Sequence, residues 1–216
     1  MTPAVTPLFA TSLAAGSIRN EVRLNAELHT AVMAQFALET RAKPLRPGES
    51  WRSQEEMALW AGSGAQRLRR LLVTAADRLT IDIGRKSAPR YEWHCFLHAH
   101  VARAGEAVTA KHRPDAFWAG LCFLDNGMAD VDQPLAGGEI EIEDPRLPVT
   151  IMEAPQLRLR LDLNAPITYH ETARIRPAKD QLLLYPAWLR IDHLAFYGPG
   201  ERTWVTIDLV ARRHAA

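Results

Sequence analysis

The spacing of apolar residues changes character near position 90, from a helical period before it to short alternations after it. From about Asn20 to Thr40, Val22, Leu24, Leu28, Val32, Met33 and Phe36 recur at three- and four-residue intervals. That spacing predicts an amphipathic helix, which Pro44 and Pro47 bring to an end. Ser53-Gln54-Glu55-Glu56 fits a capping box ahead of Met57, Leu59 and Trp60. Beyond Gly62-Ser63-Gly64, the stripe Leu68, Leu71, Leu72, Ala75, Leu79 predicts another helix, with Arg67, Arg69 and Arg70 facing water.

Past Arg90 the apolar runs are short and punctuated by Gly and Pro: Tyr91 to Arg103, Phe117 to Asp125, Gly138 to Glu143, Gln156 to Leu163 and Ile167 to Ile175. The closing stretch, Asp180 to Leu209, reads as two strands around an irregular corner. Leu182 to Leu184 form a run that Pro186 stops, and Thr203, Val205, Ile207 and Leu209 then alternate with Arg202, Trp204, Thr206 and Asp208. One of those faces is expected in a core and the other to carry polar groups. Thr6 to Leu13 reads as a short opening strand. Helices followed by many short strands predict an α+β, mainly β chain, a jelly roll with the N-terminal helices packed across one sheet.

Length and charge narrow the function classes. The 216 residues suit one domain spanning 1–216, helical over about 17–80 and β over about 90–212. With 26 Lys and Arg against 25 Asp and Glu, a formal charge of +1 supplies no field for nucleic acid or an anionic membrane. The Arg67 to Arg70 run has no interleaved aromatics and reads as a solvated face. No leader pattern and no membrane-length apolar run is visible, so a soluble, cytoplasmic chain is expected. Cys95 and Cys122 lie in apolar strand segments and are expected buried and reduced.

Several ordered motifs resemble a bacterial family of 2-oxoglutarate/Fe(II) oxygenases of the prolyl-hydroxylase-like kind. They are Ser50-Trp51-Arg52-Ser53, Arg103-Ala104-Gly105, Ala116 to Gly120 followed by Phe123-Leu124-Asp125, Gly137-Gly138-Glu139, Asp144-Pro145-Arg146, Tyr185-Pro186-Ala187-Trp188-Leu189 and Arg202-Thr203-Trp204. The Thr6 to Leu13 segment also resembles that family's N-terminus. The resemblance implies a double-stranded β-helix, Fe(II) and 2-oxoglutarate as cofactors, and hydroxylation of a carbon after oxidative decarboxylation of 2-oxoglutarate. It also implies that Arg202 pairs with the distal carboxylate of 2-oxoglutarate.

At the implied iron ligands the chain departs from the family. Anchoring on Pro114 and Gly120 places two expected His positions on Lys111 and Arg113, and the third falls on Ile191. Protonated Lys and Arg have no lone pair to give and repel a cation. Three readings stay open. In the first, Lys111, Arg113 and Arg202 form a cationic pocket that binds an anionic small molecule, or the fold serves a protein partner, with no metal. In the second the site is shifted: His112 and His193 become ligands, with Asp115 or Asp192 as the carboxylate. The third uses His98 and His100, with His94, on one face of a strand, where alternate imidazoles emerge side by side. Tyr169 and Tyr185 are candidates to support a carboxylate. A homodimer is among the expectations for such a fold.

Overall fold

The computed structural model describes residues 10–46, 48–83, 91–108, 115–128, 137–146 and 172–213. In chain order they form β1 (Ala14–Ser17), α1 (Leu24–Ala42), β2 (Trp51–Arg52), a 3-10 turn (Met57–Leu59), α2 (Gly62–Leu79), β3 (Tyr91–Ala102), β4 (Trp118–Asp125), β5 (Ile140–Glu143), β6 (Thr172–Ile175), β7 (Gln181–Pro186), β8 (Ile191–His193) and β9 (Arg202–Arg213). A six-stranded sheet runs β1-β7-β4-β9-β3-β2, and a three-stranded sheet runs β6-β5-β8. Every ladder among the described residues is antiparallel. The architecture is a jelly roll with two helices on the outer face of its larger sheet.

The two-residue period of each strand sorts side chains into two cores. Leu24, Leu28, Val32 and Phe36 of α1 and Leu68, Leu72 and Ala76 of α2 pack on Cys95, Leu97, Ala99 and Val101 of β3 and Val205, Ile207 and Leu209 of β9. The alternate residues, among them Leu121, Phe123, Leu183, Tyr185 and Trp204, form a second core with Ile140, Ile142 and Ile191 of the smaller sheet. The face of β9 expected to carry polar groups is therefore the barrel interior: Arg202, Trp204 and Thr206 are buried and Asp208 half-buried. α1 and α2 touch where Gly64 lies against Leu28, a contact with little room for a larger residue at 64.

Local expectations are corrected at several points. Of the strand expected over Thr6 to Leu13, residues 6–9 lie outside the described residues and 10–13 are not in a strand; the first strand among the described residues is Ala14–Ser17, paired with β7. Ser53 and Glu56 do not box a helix start: the Ser53 hydroxyl accepts from the Ala99 amide, and Glu56 Oε1 accepts from the Leu97 amide. These side chains serve the edge of β3 beyond the two-residue β2. The other oxygen of Glu56 caps the 3-10 turn at Ala58. Gly62 to Gly64 open α2 rather than precede it. The closing stretch holds three strands, because β8 crosses into the smaller sheet between β7 and β9. Gln156 to Leu163 and the first part of Ile167 to Ile175 lie outside the described residues.

Candidate anion site in the barrel interior

Arg202 opens β9 beside Ala102 of β3, and its side chain enters the space between the sheets. Only 2% of the residue is exposed. Its Nη1 donates to the Gly138 carbonyl at 2.7 Å, and its Cζ lies 4.4 Å from the centre of the Phe196 ring. Gly138 has φ 75°, and a Cβ there would collide with the guanidinium. A side chain at 138 and an arginine in this position are therefore incompatible. Arg202 Nε is buried without a hydrogen-bond partner. Nη2 is the guanidinium atom nearest to Gly138, so the absence of a side chain there is what admits the fork.

No described carboxylate is within ion-pair distance of Arg202. Glu201, its neighbour in the chain, pairs with Arg103 at 3.0 Å. Glu139 is ion-paired with Arg176 at 3.3 Å. Burial lowers the Arg202 guanidinium to about 10, while the charge of Glu139 acts in the opposite direction. Arg202 is therefore a cation at neutral pH, largely desolvated and incompletely compensated.

The histidines gather around Trp204. His100, its cross-strand partner on β3, stacks on the indole at 4.9 Å and hydrogen-bonds Thr206 Oγ1 at 3.1 Å. His193 of β8 stacks on the same indole at 5.1 Å and lies 6.4 Å from Phe123. Phe123 belongs to β4, the neighbour of β9 on the side away from β3, so the indole stands between the two imidazoles. His98 shares the His100 face but lies farther along β3, where burial and the charge of Arg52 lower its pKa. His94 is occupied with Glu92 at 2.9 Å.

The described residues do not fit an iron centre. Ile191, at the position of an implied His ligand, is a buried apolar residue opposite Ile142. Asp115 is exposed in a turn, and Asp192 lies on the opposite face of β8 from His193. Among the described residues, no three His, Cys, Asp or Glu side chains form a group able to hold a metal. Lys111, His112, Arg113 and Tyr169 lie outside the described residues. Tyr185 is buried in the inner core.

Sequence reasoning singled out Arg202 and His193, and both point into the barrel. It missed Phe196 as the surface beneath the guanidinium and Trp204 as the centre of the histidine stack. The Gly137-Gly138 pair was the available signal for a close backbone approach.

No protein-family model matches the chain, and no curated protein does. Solved structures resemble it at low identity. A prolyl hydroxylase of Trichoplax adhaerens, in complex with a peptide fragment of the hypoxia inducible factor oxygen degradation domain, aligns with TM-score 0.62 and 10% identity over 92% of this chain and 83% of that one. A Pseudomonas putida prolyl-4-hydroxylase gives 0.56 and 13% over 94% of both chains. HygX of Streptomyces hygroscopicus, with nickel and 2-oxoglutarate bound, gives 0.55 and 11% over 93% of this chain and 83% of that one. The chain has the double-stranded β-helix fold of prolyl-hydroxylase-like 2-oxoglutarate/Fe(II) oxygenases. No helix among the described residues is long and apolar enough to cross a membrane.

Proposed function

We propose that this chain binds a small carboxylate inside the oxygenase fold without iron, with Arg202 as its anchor and Lys111 and Arg113 adding positive charge. The observation that carries this reading is the buried Arg202 guanidinium with an unpartnered Nε. Burying a cation without an anion is costly, and a carboxylate accepting from the guanidinium supplies the missing charge. Gly138 and Phe196 fix the plane of the fork before a ligand arrives, which lowers the ordering cost of binding. The surrounding apolar residues exclude water and strengthen the charge pair. 2-Oxoglutarate is the natural probe, given the fold.

Titrating the protein with 2-oxoglutarate tests the reading. Arg202→Met is expected to weaken binding at least about tenfold, in line with loss of a charge-assisted contact. Charge reversal at Lys111 or Arg113 should weaken it further than neutral substitution does. Failure of the parent protein to bind would overturn the proposal.

One observation favours a second reading, an oxygenase of unknown substrate with a shifted site: His193 lies in the interior that also holds Arg202. That reading requires His112 and Asp115 to complete a ligand set with His193, or His98 and His100 to supply one. Elemental analysis after anaerobic reconstitution with Fe(II) separates the two readings. About one iron per chain, lost on His193→Ala, supports the oxygenase; iron near zero supports the carboxylate-binding module.

A further inference from the structure

We infer that the outer side of α2 is a docking groove for an acidic amphipathic helix of a partner protein. This inference does not depend on the carboxylate site, which lies beyond the other face of the larger sheet.

Three features of the helix meet there. Leu71, Ala75 and Leu79 line a groove of about 560 Å³ together with Arg67, Arg70, Thr74, Arg78 and Glu21. The three apolar residues recur every four positions, so they make a row that slants around the helix and rises about 12 Å at 1.5 Å per residue. Ala75 in the middle leaves a notch between two leucines, the shape that accepts a side chain from a facing helix. Leu71 and Ala75 are half-buried, packed at the margin of the core that Ala65, Leu68, Leu72 and Ala76 build, and also line the groove. Leu79 is 44% exposed, and Val22 and Ile81 are more exposed still.

The cations of the groove differ in how they are used. Arg67 is engaged by Glu21, Glu27 and the Val22 carbonyl, and Glu21 is thereby accounted for as well. Arg69 points to the opposite side, where it meets Glu56. Arg70 and Arg78 are exposed and form no ion pair or hydrogen bond among the described residues. They stand on one side of the helix, flanking Thr74, whose hydroxyl bonds back to the Arg70 carbonyl. The groove thus has an apolar floor and one rim of two uncompensated positive charges.

Charge complementarity selects the occupant. A helix with an apolar stripe at i, i+4 and i+7 fills the floor, and acidic residues beside that stripe meet Arg70 and Arg78. A nucleic-acid strand needs a continuous cationic track and stacking aromatics, and this groove offers neither. A bilayer surface is flat and does not enter a notch between two leucines.

Fluorescence anisotropy on the full chain tests the inference. The probe is a labelled synthetic helix about 18 residues long, with a leucine stripe flanked by glutamates. Controls are the same peptide with glutamine for glutamate, polyglutamate, and phosphatidylserine vesicles. Saturable binding is expected that weakens at least tenfold in Arg70→Glu/Arg78→Glu, weakens with added salt, and is blocked by Ala75→Arg. Circular dichroism monitors folding, and the exposed arginine pair keeps the test valid if Ala75→Arg does not fold. The inference is overturned if the peptide does not bind, or if binding ignores the arginine substitutions. Equal binding of the glutamine peptide or polyglutamate, or preference for the vesicles, also overturns it.

Discussion

Arg202 carries a full charge into a place from which water is largely excluded, and its energetics follow from that. A guanidinium lowered by burial from its ordinary value to about 10 corresponds to a penalty of roughly 3 kcal/mol. Because the folded-state value lies below the unfolded one, the penalty is fully present at every pH below about 10 and fades only as pH rises from there toward the unfolded value. Removing the side chain relieves this penalty but leaves the Gly138 carbonyl without its donor, at a cost of about 1–3 kcal/mol. The opposing terms nearly cancel. In urea titrations of the ligand-free protein, Arg202→Met is therefore expected to change stability by less than about 2 kcal/mol, whereas breaking a paired buried charge costs about 3–5 kcal/mol. A loss in that larger range would mean that Arg202 is already neutralised.

His98 gives a pH-dependent prediction at the same scale. Burial and the neighbouring Arg52 disfavour its protonated form, so its pKa is below the ordinary value. The unfolded chain binds that proton more readily, and the stability His98 contributes is lost as pH falls from the ordinary histidine value through the lower folded one. An NMR titration should place the His98 midpoint below 6.5, and Arg52→Gln should raise it. A midpoint at or above 6.5 would contradict the burial and charge assignment. The residue scale was also where sequence reading was least complete. Arg202 was legible because it sits in an ordered motif, whereas its contact with Gly138 joins positions 64 residues apart.

Among the elements, β3 shows how side chains complete a sheet. Its partner β2 supplies only Trp51 and Arg52, and beyond them Ser53 and Glu56 receive the Ala99 and Leu97 amides. Glu56 also holds Arg69 of α2 at 3.2 Å, so one carboxylate ties the sheet edge to the helix layer. Glu56→Ala leaves the Leu97 amide and Arg69 without that acceptor and is expected to destabilise the fold by about 1–3 kcal/mol, read by urea denaturation. A change under about 0.5 kcal/mol would show that water replaces the carboxylate freely. The Ser53 to Glu56 spacing had suggested a helix cap, because a capping box and a clamp on a distant strand draw on the same residue types. Long apolar periods were read more securely: the helix expected from Asn20 to Thr40 is present as Leu24–Ala42, with its core on Leu24, Leu28, Val32 and Phe36.

At the scale of the whole molecule, the alternation in β9 announced two faces but not what covers each. The helices cover the Val205 face and the smaller sheet covers the Trp204 face, so residues that look like a wet surface in sequence become the lining of the barrel. The jelly roll itself was legible from many short strands following helices. The crossing of β8 into the second sheet was not, because three residues carry too little period to declare a strand.

At this scale the proposed role of the barrel is to hold an anion at Arg202 without iron. The most direct test is isothermal titration of the parent protein with 2-oxoglutarate in the presence of EDTA, repeated after removal of the chelator and addition of Fe(II). Saturable binding in EDTA, with no gain in affinity on adding iron and with loss in Arg202→Met, is the expected result. Binding that appears only once Fe(II) is added, or no binding under either condition, would contradict a metal-free carboxylate site anchored by Arg202.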